Sequence, residues 1–139
     1  MGKILLGGEN GMYTIDYLSG IPVYEQIVRQ TERFILAGIL AGDTAMPSVR
    51  SVASEIAANP NTVQKAYTQL LGRGIIYAIP GKGSFVSAGA RDKLKGELER
   101  ELVRIENLAA QFADAGIEKT LVIDAVERGY AAVDCDTHQ

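Results

Sequence analysis

The sequence predicts an α+β fold that is mostly helical, in which one short β-hairpin lies between two groups of helices. Apolar residues recur at helical spacing between residues 22 and 71, change to the pattern of short strands between residues 75 and 87, and return to helical spacing from residue 92. Of the 139 residues, 47% are hydrophobic and 22% are charged. This length and composition indicate a globular protein with one ordinary domain, or with one small domain and a short accessory region.

The first helix is predicted to begin at Pro22, because proline suits a first turn in which its missing N–H would have no partner. Apolar residues follow at helical spacing as far as Ile35, and glycines at positions 38 and 42 end the helix. Residues 1–20 contain five glycines and no sustained period, so they are predicted to be an N-terminal extension. Met12 is an alternative natural start, which would make the residues before it an addition.

Two short helices follow, and only residues 57–59 separate them. Ser48 is suited to cap the first helix, and Asn59 is suited to cap the second, whose first residue is Pro60. Each helix has apolar residues at positions i, i+3, i+4, i+7 and i+8. These residues are Val49, Val52, Ala53, Ile56 and Ala57 in the first helix, and Val63, Ala66, Tyr67, Leu70 and Leu71 in the second. Two helices joined this tightly predict a helix-turn-helix.

A hairpin is predicted directly after these helices. Residues 75–79 and 84–87 are β-prone, and Pro80-Gly81-Lys82-Gly83 between them supplies the proline and the positive-φ glycine of a tight turn. The result is a two-stranded wing with a basic tip, packed behind the helices. Residues 21–90 are therefore predicted to form a winged helix-turn-helix, a DNA-binding domain.

Residues 91–139 are predicted to form a short two-helix C-terminal dimerisation region. Apolar residues spaced by three or four run through residues 92–115, Gly116 ends that helix, and a second helix is predicted for residues 117–128. Two amphipathic helices alone bury too little area to be stable, so they need a partner surface. The residues predicted to form the interface between two copies are Leu94, Leu98, Leu102 and Ile105.

The net charge of −3 is segregated along the chain. Residues 21–90 carry six basic and four acidic side chains, whereas residues 91–139 carry seven basic and eleven acidic ones. A mildly basic middle permits DNA binding by one face. So few cations predict modest affinity unless two copies bind together.

Four motifs in this order make the chain resemble the GntR family of bacterial regulators. They are Pro22-Val23-Tyr24-Glu25-Gln26-Ile27, Met46-Pro47-Ser48-Val49-Arg50, Asn59-Pro60-Asn61-Thr62-Val63 and Gly81-Lys82-Gly83-Ser84-Phe85-Val86. Because a short region follows the wing, the chain is similar to the YtrA subfamily. The resemblance implies that the N-terminal domain binds an inverted-repeat operator in double-stranded DNA and that the C-terminal helices form a homodimer.

The chain departs from the family pattern at two places. Ala57-Ala58 stand where many relatives have Gly-Val, which we interpret as conservative for a tight turn. Ile79-Pro80 stand where many relatives have an arginine, which removes charge from the wing and weakens its expected grip on DNA.

Four polar residues on the second short helix are candidate DNA contacts. Asn61, Gln64, Lys65 and Thr68 lie opposite its buried stripe on a helical wheel. Helix-turn-helix proteins present the N-terminal part of this helix to base edges in the major groove. There Asn and Gln pair with adenine, and Lys reaches guanine or a phosphate. A solvated polar face would look the same, but the tight turn, the wing and the motif order favour DNA contact.

The remaining candidate DNA contacts are Ser48, Arg50, Thr62, Gly81 and Lys82. The resemblance implies that Arg50 contacts DNA, and the alternative is a surface cation paired with Glu55. The two hydroxyl residues are expected to bind phosphate directly or through helix N-terminal amides. Lys82 is expected to meet the minor groove or the backbone, and the alternative is a solvated lysine in a turn.

Several other classes of protein lack support in the sequence. No apolar stretch is long enough to span a membrane and no secretory signal is recognised, so a cytoplasmic protein is expected. The single cysteine, Cys135, cannot form an internal disulfide, and the single histidine, His138, has no partner at ligand spacing. Without an acid–base pair or a phosphate loop, neither an enzyme nor a cofactor or metal site is predicted.

The predicted function is sequence-specific transcription regulation, interpreted as repression by a homodimer bound to operator DNA. The alternative is a small-molecule-responsive sensor whose pocket lies between the C-terminal helices. The residues identify neither the operator nor an effector.

Overall fold

The computed structural model describes residues 11–137, with side chains as far as Val133. Its elements are α1 (Val23–Leu36), α2 (Val49–Glu55), α3 (Pro60–Gly72), β1 (Ile76–Ile79), β2 (Gly83–Val86), α4 (Ala90–Arg100), α5 (Leu102–Asp114) and α6 (Lys119–Thr137). The predicted α+β, mostly helical fold with a winged helix-turn-helix is confirmed. The chain divides into two compact units, with the boundary between Gly96 and Glu97.

The core of the first unit is built from one face of each of its first three helices and from the hairpin. Its largest fully buried apolar side chains are Ile27, Ile35, Val52, Val63, Leu70, Ile75, Ile76 and Val86. Each such side chain stabilises the fold by about 1.5–3 kcal/mol relative to leaving it in water. Because α3 packs on both α1 and α2 through this core, its opposite face is turned to solvent.

The two predicted caps set where the short helices begin. The Ser48 hydroxyl accepts a hydrogen bond from the Ser51 N–H at 3.1 Å, and the Asn59 side chain accepts one from the Asn61 N–H at 2.9 Å. Each bond satisfies an amide that has no partner inside its own helix. The predicted starts of α2 and α3 are therefore confirmed.

The turn between α2 and α3 contains a strained residue. Ala57 has a φ of 53°, in the left-handed region that costs a residue with a Cβ about 1–2 kcal/mol and that glycine adopts freely. The Ala57 side chain is exposed, so no packing offsets this cost. The interpretation of Ala57 as a conservative replacement in the turn is therefore wrong.

The wing is an antiparallel pair in which Ile76 lies opposite Val86 and Ile79 lies opposite Gly83. The N–H of Lys82 donates to the carbonyl of Ile79 at 2.9 Å and closes the turn. The segment before α2 also bonds to the wing, because the Met46 N–H donates to the Ser84 carbonyl at 2.8 Å. The wing is thus attached to the chain that leads into the helix-turn-helix.

Residues 11–20 belong to the first unit and are not an extension to it. Met12 and Tyr13 are buried in its core. Gln30, on α1, exchanges two hydrogen bonds with the backbone of Thr14, and Gln26 binds the backbone of Asp16 in the same way. The boundary predicted at residue 21 falls too late, because the glycine-rich composition of this segment concealed its buried side chains.

The second unit consists of the end of α4 together with α5 and α6. The single helix predicted for residues 92–115 is two helices, which are separated at Glu101, and α6 continues beyond the predicted end at residue 128. No side chain of α5 is buried. None of the helices in residues 11–137 is long and apolar enough to cross a membrane.

Candidate nucleic-acid interface

The exposed face of α3 carries the four polar residues that the helical wheel predicts. Asn61, Gln64, Lys65 and Thr68 are all exposed, and they line one shallow groove together with Gln69 and with Tyr24 of α1. The opposite face of α3 is buried in the core. The fold therefore gathers donors and acceptors for base edges, and one cation, on a single helix face.

Two side-chain contacts organise this groove. The Lys65 ammonium lies 4.0 Å from the centroid of the Tyr24 ring, a cation–π geometry. The Gln64 amide nitrogen donates to the Thr68 hydroxyl at 3.3 Å, one helical turn further along. Two of the predicted contact residues are thus oriented before any ligand binds.

The other predicted contacts lie outside the groove. Ser48 accepts the capping bond through its hydroxyl oxygen, which leaves the hydroxyl hydrogen available to a phosphate. Thr62 is half-buried in the first turn of α3, and its N–H already donates to the Asn59 carbonyl at 2.9 Å. Gly81 and Lys82 are exposed at the tip of the wing.

Arg50 is exposed, and among residues 11–133, whose side chains the structure describes, it has no ion-pair partner. The Glu55 carboxylate lies instead against the backbone at Gly11, where an added side chain would collide with it. The alternative pairing of Arg50 with Glu55 is therefore wrong. The guanidinium stays available to an external anion.

Tyr67 connects α3 to the start of α2 from inside the protein. Its ring lies on the buried stripe, as predicted, and its hydroxyl donates to the Pro47 carbonyl at 2.6 Å. Burial raises the pKa of Tyr67 above its usual range. Because this hydroxyl binds the residue next to the Ser48 cap, it connects the middle of α3 to the start of α2.

Sequence reasoning missed two residues of the groove. In the sequence, Tyr24 only begins the apolar spacing of the first helix, and the packing of α1 against α3 brings its ring beside Lys65. Gln69 could have been found, because it lies one helical turn beyond Lys65 on the same side of α3.

The predicted interface stripe divides into two parts. Leu94 is only 3% exposed and lies in the core of the first unit, so it cannot contact a second copy, and its assignment to the interface is wrong. Leu98, Leu102 and Ile105 are each more than half exposed. The helical period gave the apolar side of this region correctly but could not show which part the chain itself covers.

These features define the class of the protein. A tight helix-turn-helix that presents a polar, lysine-bearing second helix beside a hairpin is a DNA-binding winged helix. Within the described part of the chain, no group of His, Cys, Asp and Glu side chains is arranged to hold a metal ion.

Comparison with known proteins identifies the family. Residues 23–86 match the bacterial regulatory proteins of the gntR family. The chain is 39% identical over 108 residues to the HTH-type transcriptional repressor YtrA of Bacillus subtilis (strain 168), spanning 77% of this chain and 83% of that protein. It is 32% identical to the uncharacterized HTH-type transcriptional regulator YhcF of the same strain, spanning 80% and 92% of the two chains.

Solved structures agree with this relationship. A GntR family transcriptional regulator from Listeria monocytogenes matches with a TM-score of 0.65 at 28% identity, over 81% of this chain and 98% of that one. YtrA from Sulfolobus acidocaldarius, a GntR-family transcription factor, matches with a TM-score of 0.52 at 33% identity, over 66% and 97%.

The chain belongs to the GntR family of bacterial regulatory proteins, and it is a DNA-binding transcription regulator. The predicted resemblance to the YtrA subfamily is confirmed by the two YtrA proteins. The relatives are regulators and not enzymes, which confirms the prediction that this chain is not an enzyme.

Proposed function

We propose that the protein represses transcription by binding an inverted-repeat operator as a homodimer, in the cytoplasm where that operator lies. The observation that carries the proposal is the exposed face of α3, where four polar side chains line one groove. Arg50, at the start of α2, is also exposed. The name of the Bacillus subtilis relative, a transcriptional repressor, supports repression over activation.

In this proposal the groove on α3 reads bases. Asn61, Gln64 and Thr68 supply neutral donors and acceptors, which distinguish base pairs by their hydrogen-bonding edges in the major groove. Lys65 adds a cation at the same face, suited to guanine or to a phosphate beside it.

Four residues outside the groove hold the DNA backbone in this proposal. Arg50 and Lys82 are exposed cations, and Ser48 has a hydroxyl hydrogen to donate. Thr62 lies in the first turn of α3, where backbone amides favour an anion. Contacts of this kind set position and affinity but carry little sequence information.

The homodimer is proposed from the apolar surface of the second unit. On α5, Leu102, Ile105 and Leu108 are each about half exposed, and α6 shows further exposed apolar residues. Monomers rarely leave so many large apolar side chains of two neighbouring helices in water, and two short helices do not bury enough to be stable alone. A second copy of the same pair would cover these faces and place two winged helices on one operator.

A binding experiment tests the operator geometry. Sites selected from random duplexes by the full chain are expected to be inverted repeats. Cutting such a site to one half is expected to weaken binding by about a hundredfold or more, because the second half-site acts at a high effective concentration. Equal affinity for the whole and the half site would refute the proposal.

A charge placed on α5 tests the dimer. Leu102→Asp is expected to give monomers by light scattering, because it buries an unpaired carboxylate in the proposed interface. Asn107→Asp is the matched control, since it adds the same charge on the polar side of the same helix. Retention of a tight dimer by the Leu102 variant would place the interface elsewhere.

A further inference from the structure

We infer that Tyr24 is a positioning residue for DNA binding, which holds Lys65 in the orientation used on DNA. This inference rests on the proposed function, because it takes Lys65 as a DNA contact. The juxtaposition that carries it is the Lys65 ammonium, 4.0 Å from the centroid of the Tyr24 ring.

The Tyr24 ring is held in place by packing and by a hydrogen bond. Tyr24 lies in the first turn of α1, is half-buried, and packs against the core of the first unit. Its hydroxyl donates to the Glu25 carboxylate at 3.3 Å. One face of the ring is thus held towards α3 by the same packing that positions the recognition helix.

Lys65 depends on this ring for its orientation. Among the side chains described, those of residues 11–133, it has no ion-pair partner. Glu25, the carboxylate next to Tyr24, pairs instead with Arg29 at 3.5 Å. The long, flexible lysine stem is therefore directed by the aromatic face, and an ammonium held by a ring keeps N–H donors for a second acceptor.

The inference predicts whether removal of the Tyr24 ring lowers or raises the affinity for DNA. If the ring holds Lys65 in the orientation used on DNA, the cost of ordering that side chain is met during folding and not during binding. Removing the ring returns this cost to the binding step, which predicts a loss of about two- to tenfold in affinity per half-site. If the ring held Lys65 away from DNA, removing it would strengthen binding.

A double-mutant cycle on the full chain tests the inference, with an operator duplex selected by the unaltered protein as the probe. Tyr24→Leu keeps apolar bulk at the site but removes the π face, and it is expected to weaken binding. Tyr24→Phe keeps the face and is expected to bind like the unaltered protein. In a Lys65→Ala background, Tyr24→Leu is expected to have no further effect.

The outcomes separate the inference from the proposed function. If Lys65→Ala leaves affinity unchanged, the assignment of Lys65 to the DNA surface is refuted. If Lys65→Ala weakens binding but Tyr24→Leu does not, or if Tyr24→Leu strengthens it, the positioning role alone is overturned. A loss from Tyr24→Leu that persists without Lys65 would show a packing effect and would also overturn it.

Proton NMR provides a measurement that does not depend on the leucine variant folding. In the free protein, the ε-methylene protons of Lys65 are expected to be shifted upfield by the ring current of Tyr24, and Tyr24→Phe is expected to preserve that shift. Ordinary lysine shifts in both proteins would overturn the inference.

Discussion

Replacing Ala57 with glycine is expected to stabilise the protein, because this residue has a φ of 53° in the turn between α2 and α3. A residue with a Cβ is disfavoured there by about 1–2 kcal/mol, whereas glycine is not. Glycine also gives the unfolded chain more freedom, which offsets about 0.4–1 kcal/mol of that gain. Since the exposed Ala57 methyl contributes little packing, these figures leave a net gain of about 0–1.6 kcal/mol, and we expect a value near the middle of that range, about 0.5–1 kcal/mol.

Thermal unfolding of the full chain at one fixed protein concentration measures this change. A gain of this size corresponds to a rise in Tm of about 2–8 °C for a domain of this size. Ala58→Gly is the matched control, because Ala58 is the next residue, packs against the core and has no positive φ. That variant is expected to lose stability. If Ala57→Gly also lost stability, the strain assigned to the turn would be refuted.

The remaining predictions concern pH and DNA. Burial raises the pKa of Tyr13 to about 12. Because a phenol in the unfolded chain loses its proton near pH 10, stability should be complete below pH 10 and should fall by about 2–3 kcal/mol as the pH rises towards 12. Tyr13→Phe should flatten this fall in alkaline urea denaturation, and an unchanged slope would exclude Tyr13 as its source. Gln64→Ala should relax sequence preference at one position per half-site and cost about 1–3 kcal/mol for the preferred base in binding-site selection. Lys82→Ala should weaken all sequences about equally and reduce the slope of log K against log salt by about 1, so a changed sequence preference would reverse these two assignments. Arg50→Ala should weaken binding most in the same titrations, because its position near the start of the helix-turn-helix lets it anchor the orientation of the domain on DNA. A smaller loss than that of Lys82→Ala would contradict this role.

The Tyr13 prediction depends on the burial of its hydroxyl, which also makes a hydrogen bond to Thr31. The Thr31 hydroxyl donates its one hydrogen to the Ile27 carbonyl at 2.8 Å. The Tyr13 hydroxyl, 2.8 Å from the same threonine oxygen, must therefore be the donor. Burial raises the pKa because loss of the proton would place a charge in the core, and this effect outweighs the hydrogen bond to Thr31, which lowers the pKa. The folded state therefore resists ionisation of Tyr13.

Much of the first unit could be predicted because its signals are local. The caps at Ser48 and Asn59, and the proline and glycines of the wing turn, act within a few residues and need no knowledge of the rest of the chain. The buried stripe of α3 follows from the helical period in the same way. For this reason the exposed positions of Asn61 and Gln64 were also predictable.

The predictions were wrong where a distant part of the chain determines whether a residue is buried or hydrogen-bonded. Leu94 continues an apolar stripe into α4, but the core of the first unit covers it. Residues 11–20 have the composition of a loose segment, yet their backbone finds partners in Gln26 and Gln30 on α1. A period shows which side of a helix is apolar and does not show which neighbour buries it.

The sequence by itself determined the order of the elements as far as the wing, the helix-turn-helix itself and the polar face of α3, since each follows from residues a few positions apart. Only the tertiary structure decided which residues share the groove, and it placed Tyr24 of α1 under Lys65 of α3. It also decided that Leu94 is buried. The physical reason is that these properties depend on packing between segments far apart in the chain, which no local pattern specifies.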